Sequence, residues 1–319
     1  MRDSARTSAP GKVVLWGEYA VLAGAPAAVL AIDRRATCTI SEATDELFHL
    51  RTRGFESPHL AVASLAASQL PAQAALFGWA AAALQRLPKT PMSLELDTSD
   101  FFRGGIKLGI GSSAAALVAC YGAMQHHLHE PFDLARAIAA HRAFQGSGSG
   151  LDIATAWLGG LVRFCQGRAE KLSEVRLPAL RFFFSGHATS TGAKLSQFAV
   201  WRERGRVEPL DDLAVASAEL FDAMTSQSAW QNYVQCLQAL DAAAGLGIFS
   251  PGHAALTRVA ATLRLIYKPC GAGGGDVGMA VCPVGVDEDA LDEFSRQAER
   301  LGFQSLQLAG TLDGLQYEP

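Results

Sequence analysis

With 49% hydrophobic and 18% charged residues over 319 positions, the chain has enough apolar material to fold, which excludes a disordered protein, and its length is that of about two domains. The net charge of −4 comes with no long run of one sign, which excludes a nucleic-acid groove and a polybasic membrane anchor, so an anionic ligand has to be met by a few local cations. AVLAGAPAAVLAI (20–32) is too short and too interrupted by glycine and proline to span a bilayer, and MRDSARTSAPGK (1–12) lacks the apolar core of a signal peptide.

A soluble cytoplasmic protein is therefore expected. The six cysteines include no CxxC pair, and their apolar surroundings predict reduced structural thiols.

KVVLW (12–16), ATCTI (36–40) and SLEL (93–96) read as strands. The alanine-rich region from Leu60 to Leu87 reads as two helices divided at Pro71. A helix should open just after GIGSS (109–113), and another should run over 133–144 and stop at QGSGSG (145–150). Strands at 161–165 and 180–186, a helical region over 210–244, and a helix from Ser250 and Pro251 to near Tyr267 follow. Residues 287–302 form a capped amphipathic helix before a strand-like tail, and the domain change falls between about 170 and 185 on this size of chain.

Four stretches carry candidate chemistry. In APGKVVLWGEYAVLAG (9–24), Lys12 begins a strand with Glu18 and Tyr19 just beyond it. It is either a solvated strand-end lysine or the cation of a site. KLGIGSSAAALVA (107–119) sets two glycines and two hydroxyls before a helix. That is either a serine-capped helix or a phosphate loop, since a helix N-terminus offers free N–H groups and glycine lets phosphate oxygens approach them. It is neither a Walker A loop nor a Rossmann fingerprint.

In QGSGSGLDIATAWLGG (145–160), Asp152 is an N-cap, a catalytic acid-base or a group that orients a lysine. GAGGGDVGMAV (271–281) places four glycines in five positions and then runs into the apolar Met279, Ala280 and Val281. It is either an ordinary flexible loop or, because a buried strand follows directly, a loop that a ligand approaches closely.

Taken together and in this order, the motifs resemble the GHMP kinases along essentially the whole chain. Within that family the phosphomevalonate kinases are the most similar, through APGKVVLWGEYAVLAGAPAAVLAIDR (9–34), KLGIGSSAA (107–115), HRAFQGSGSGLDIA (141–154) and KPCGAGGGDVGMA (268–280). Asp276 discriminates, because mevalonate kinases usually continue with another glycine there. Diphosphomevalonate decarboxylases lack the lysine at Lys12. The family's GWTGxxAST appears here as FFSGHATST (183–191), without the tryptophan, and its IETP as IFSP (248–251).

The resemblance implies an α/β (α+β) fold of two domains, a ribosomal-protein-S5-like half over 1–178 and a ferredoxin-like half over 179–319, with the active site between them. It implies that ATP with Mg²⁺ phosphorylates 5-phosphomevalonate to the diphosphate, in the mevalonate route to isoprenoids. Lys12 would bridge donor and acceptor phosphates, with Asp152 orienting Lys12 and the metal. Lys107, Gly109, Gly111, Ser112, Ser113 and Ala114 would hold ATP, with Ser113 also on the metal. Tyr19, Ser149, Ser190, Thr191, Gly271, Ala272, Gly273 and Asp276 would contact the acceptor alongside Lys12. The expected partners are small molecules, and the protein is expected to be a monomer or homodimer. A kinase with an alcohol acceptor, such as a mevalonate kinase, and a catalytically silent metabolite-binding protein of the same fold are the alternatives.

Overall fold

The computed structural model describes residues 5–54, 59–146, 148–205, 207–250 and 252–318. In chain order, β1 (Ala5–Trp16), β2 (Ala27–Glu42), β3 (Phe48–Arg53) and β4 (Leu60–Val62) precede α1 (Ala75–Ala82) and β5 (Met92–Asp97). The short pair β6 (Phe102–Arg103) and β7 (Ile106–Lys107) leads to α2 (Ser112–Leu128), α3 (Leu134–Gln145) and α4 (Leu151–Leu158). β8 (Leu161–Cys165), β9 (Arg168–Leu172) and β10 (Ala179–Phe184) are followed by α5 (Thr191–Arg202), α6 (Glu208–Asp222), α7 (Gln227–Ala244) and α8 (His253–Thr262). β11 (Ile266–Pro269), β12 (Val277–Cys282), α9 (Asp289–Arg300), β13 (Gln304–Leu306) and β14 (Gln316–Glu318) complete the chain.

The first sheet has the order β14-β1-β2-β5-β3-β4. β2 is long enough to pair β8 with its first residues, Ala27–Leu30, and β5 with its last, Thr37–Glu42. Lys12 lies opposite Ala31 in the β1–β2 ladder. α2 packs on β1 and β2, and the alanines that begin it let its backbone come close to the sheet. Leu117, Val118, Tyr121 and Met124 are almost wholly buried, each contributing about 2 kcal/mol of hydrophobic stabilisation. The tail returns to the first sheet, where β14 pairs with β1.

The second sheet, β11-β12-β10-β13, is antiparallel throughout. Its period-2 alternation sorts β10 between two faces. Phe183 packs with Leu256, Phe294 and Phe303 from the α8 and α9 side, while Phe182 and Phe184 join the main core with Tyr233 and Leu237 of α7. That core is continuous between the halves, because Trp16 at the end of β1 meets Trp230 of α7 and Phe221 of α6 edge-on. Among the described residues no helix is long and apolar enough to cross a membrane. The cysteines are free thiols.

Two expectations for local structure are corrected. The region from Leu60 to Leu87 holds strand β4, two single 3₁₀ turns and the eight-residue α1 in place of two helices. Alanine's helix preference loses to the unpaired edge of β3, which takes Leu60–Val62 as an antiparallel partner. The second correction concerns the helix before Tyr267. α8 begins at His253 with Gly252 as its N-cap, so Ser250 is not the cap, and Pro251 lies outside the described residues. The helix ends at Thr262, and Tyr267 belongs to β11, where pairing with β12 buries its ring. α5 at Thr191–Arg202 is a further helix, beyond those expected from the local pattern.

Candidate active site

The glycine-rich loop at 109–111 is bonded to β1, whose Lys12 N–H donates to the Ile110 carbonyl at 2.9 Å. Gly111, at φ +88°, is the N-cap of α2, and no side chain caps that helix. The serine-capped reading therefore falls. Ser112 is buried with an Oγ that has no hydrogen-bond partner among the described residues. Ser113 Oγ accepts from Gln145 Nε2 at 2.8 Å and lies 3.3 Å from His141 Nε2. Ala114 is fully buried in α2.

α4 begins in the same way, with Gly150 at φ +96° as its N-cap and no side-chain cap. Asp152 is thus inside the first turn and is not the cap. Its Oδ1 sits 3.2 Å from Lys12 Nζ. The Lys12 side chain is 11% exposed and that of Asp152 30%, so the pair is partly shielded yet open to a ligand. Two helix N-termini, each with unpaired N–H groups and partial positive charge, converge with an ammonium on one cleft.

Lys12, Gly109, His141, Gly150, Asp152 and Asp276 are among the residues lining that cleft, which holds about 800 Å³ of empty volume, part of it open to solvent. Tyr19, Ser149, Thr191, Gly271 and Ala272 line it as well. Lys107, Gly111, Ser112, Ser113, Ala114, Ser190 and Gly273 are not among the residues that line it. Ser190 caps α5 by accepting from Ala193 N–H at 3.3 Å, and Gly273 packs against Ile248.

The second half closes the cleft through Asp276, a non-glycine residue at φ +50°. Its carboxylate lies against Gly109, where an added Cβ would come within 2.3 Å of Asp276 Cγ. Only glycine fits at that contact. Thr189 N–H donates to Asp276 Oδ1 at 3.0 Å. Burial pushes the Asp276 carboxyl up, against the Thr189 N–H and the Lys107 and Lys12 charges. Lys107 is an exposed residue, and desolvation, with the Lys12 charge, lowers its pKa against the pull of Asp276 and Asp152. Tyr19 OH donates to the Ala272 carbonyl at 2.7 Å. Burial first, then Glu18 and Asp241, raise its pKa, so the phenol stays a donor.

Residues 75–160 match the GHMP kinases N terminal domain. The phosphomevalonate kinase of Streptomyces sp. is 28% identical, and the similarity covers 96% of this chain and 97% of the relative. The likeness to the GHMP kinases is therefore carried by residues 75–160 and extends, through the Streptomyces relative, along nearly the whole chain. The mevalonate kinase of Pyrococcus furiosus is 29% identical over 66% of this chain and 65% of its own length. The solved structure of Streptococcus pneumoniae phosphomevalonate kinase in complex with phosphomevalonate and AMPPNP has a TM-score of 0.74 at 18% identity, covering 97% and 99% of the two chains. That likeness carries the two-domain mixed α/β fold.

Several residues to which the motifs assign no role also line the cleft. His141 and Gln145 hold the Ser113 hydroxyl, and burial keeps the His141 imidazole below its usual pKa against the pull of Asp152. Helix spacing i, i+4 on α3, leading into the glycine stretch, was the signal that paired them. Glu18 is not a free acid of the site. Its carboxylate is buried against the ammonium of Lys268, which is 0% exposed, and accepts from Tyr233 OH at 2.8 Å. Tyr233 OH in turn accepts from Gly17 N–H at 2.7 Å. These partners lie more than 200 residues apart, so only tertiary structure reveals the pair.

Proposed function

We propose that this chain is a GHMP kinase of the mevalonate pathway and transfers the γ-phosphoryl group of ATP to the phosphate of 5-phosphomevalonate. An acceptor phosphate oxygen attacks the γ-phosphorus, the bond to the β–γ bridging oxygen breaks, and ADP leaves with that oxygen. The observation that carries the reading is the Lys12–Asp152 pair between two uncapped helix N-termini. Phosphoryl transfer asks mainly for positioning and charge stabilisation, which these groups supply.

Lys12 stabilises the charge shared by donor and acceptor phosphates, and Asp152 holds its ammonium in place. The loop Lys107, Gly109, Gly111 and the first turn Ser112, Ser113 and Ala114 bind the ATP phosphates. Tyr19, Ser149, Thr191, Gly271, Ala272 and Asp276 bound the acceptor. Ser190 and Gly273 act one step behind, as a helix cap and a backbone contact. The acceptor phosphate, with a second pKa of about 6, is already largely ionised at neutral pH and needs no general base. The 1–178 and 179–319 halves form the two walls, with β14 returning to the first.

Among the described residues no group of three His, Cys, Asp or Glu side chains is placed to cage a metal. That suits Mg²⁺ arriving with the nucleotide, since it keeps several waters and takes one or two protein ligands. With Gln145 donating to it and its own proton directed at His141 Nε2, the Ser113 hydroxyl keeps one lone pair, with which it would hold the ion together with Asp152. When bound, the ion neutralises phosphate charge.

Support for a phosphate acceptor comes from Asp276 in the last motif and from similarity along nearly the full length to the Streptomyces phosphomevalonate kinase. An alcohol acceptor is the second reading, favoured by the likeness to the Pyrococcus mevalonate kinase and by a carboxylate, Asp152, positioned to take a hydroxyl proton. A coupled ADP-release assay with MgATP and 5-phosphomevalonate, mevalonate, homoserine or galactose separates them, with Lys12→Ala as control. Turnover restricted to phosphomevalonate is expected. Turnover of mevalonate alone would move Asp152 to general base, and nucleotide binding without any turnover would mark a silent binder.

A further inference from the structure

We propose that His253 is a positioning residue for the glycine-rich loop 271–276, clamping the Gly275–Asp276 peptide and thereby aiming the Asp276 carboxylate into the cleft. The inference rests on the reading that this loop bounds the reacting phosphates.

His253 opens α8 and is fully buried behind the loop. Its Nε2 lies 3.1 Å from the Gly275 carbonyl, and its Nδ1 lies 2.9 Å from Tyr267 OH. A carbonyl only accepts, so Nε2 carries the proton, and Nδ1 then accepts from the Tyr267 hydroxyl. The ring is held on its other sides by stacking on Tyr267 and by the edge of Phe303, at centroid distances of 5.9 and 5.2 Å. Lys268 is the charged group that faces it and, with burial, keeps it neutral.

The Gly275 carbonyl belongs to the same peptide plane as the Asp276 N–H, and that N–H donates to the His187 carbonyl at 2.6 Å. One peptide unit is therefore held at both ends, by His253 from α8 and by His187 from the loop before α5. The residue directly after the clamped unit is Asp276, at a φ of +50° that a non-glycine residue adopts only when its surroundings impose it. Gly274 N–H, bonded to the Ile248 carbonyl at 2.7 Å, fixes the loop one residue earlier. Losing the imidazole donor frees the carbonyl side of the clamp, and Asp276 can then turn away from Gly109, Lys107 and Lys12.

The test compares His253→Leu, which keeps an apolar side chain but loses both polar contacts, with His253→Gln, whose amide can again donate to Gly275. Steady-state kcat and KM, melting temperature and amide exchange of the 271–276 segment are measured on the full chain. Misplacement of a reacting group by about 1 Å costs roughly 100-fold. A 10- to 100-fold fall in kcat/KM is therefore expected for His253→Leu, on the order of that benchmark, with faster exchange in the loop. His253→Gln should recover most of the activity.

Wild-type kcat/KM in a folded His253→Leu protein would overturn the inference. So would equal losses in both variants that track melting temperature, since that pattern belongs to packing alone. If the wild-type enzyme fails with phosphomevalonate, the acceptor reading has failed, and the inference is judged on loop exchange and on nucleotide affinity. Faster exchange with weaker nucleotide binding in His253→Leu supports it, and unchanged exchange overturns it.

Discussion

Replacing Lys268 by methionine removes an ammonium that is 0% exposed while keeping most of its stem. The Glu18 carboxylate, 4% exposed, then keeps Tyr233 OH as its remaining donor. Breaking a buried ion pair from one side costs about 3–5 kcal/mol, a large share of the roughly 5–15 kcal/mol that stabilises a folded chain. For 319 residues, an unfolding entropy of about 2.1 cal/mol/K per residue sums to about 0.7 kcal/mol/K. The loss then lowers Tm by about 4–7 °C, if the halves unfold together through their shared core. Calorimetry on Lys268→Met, Glu18→Gln and the double variant measures this. Each single change should fall within that range, and the double should lose less than the sum, because no charge is left buried alone. Additive losses, or a drop below about 1 °C in either single variant, would refute the reasoning. Activity should fall as well, since Glu18 precedes Tyr19, the donor to Ala272.

Gly109→Ala forces a side chain onto a φ of +74° and into the Asp276 carboxylate, so kcat/KM should drop by about 100-fold with both substrates. Activity within about threefold of wild type, well short of that, would show that the two loops do not meet during turnover. Asp152→Asn keeps the shape but leaves Lys12 without its counter-charge, and turnover should fall by about 100-fold or more. A pH–rate profile checks the role, because recovery at alkaline pH would mark Asp152 as a base.

Acid stability follows from His253. Burial lowers its pKa from 6.5 to about 4, so the folded chain takes up that proton later than the unfolded chain does. Its contribution is complete above pH 6.5 and is lost as pH falls through the interval to about 4. At about 1.4 kcal/mol per pH unit, the loss reaches about 3 kcal/mol. Urea melts across this range should show the decline, and His253→Gln should flatten it.

The motifs made the candidate site legible because each is local. A glycine that must adopt positive φ, a hydroxyl after it and a helix opening behind it all fall within a few residues, and the backbone geometry they require follows from residue type. The strands at 93–96 and 161–165 were legible from their residue pattern, and the helix that became α2 from its run of alanines after the glycines, because each of these is a property of one segment. Where a neighbour made the decision, local signals failed. The alanines after Leu60 carry helix preference, but the open edge of β3 turned three of these residues into β4.

At the site, the sequence by itself determined that a glycine–serine loop opening a helix, a lysine and a glycine-rich acidic loop exist in one chain. Tertiary structure alone decided that Asp152 serves Lys12 and leaves the capping of α4 to glycine. It alone set Asp276 against Gly109, which lies 167 positions earlier in the chain, and buried Glu18 on Lys268. Residue types define what a group can donate, accept or carry. Which partner it meets depends on how two sheets and their helices pack, and that is a property of the whole chain.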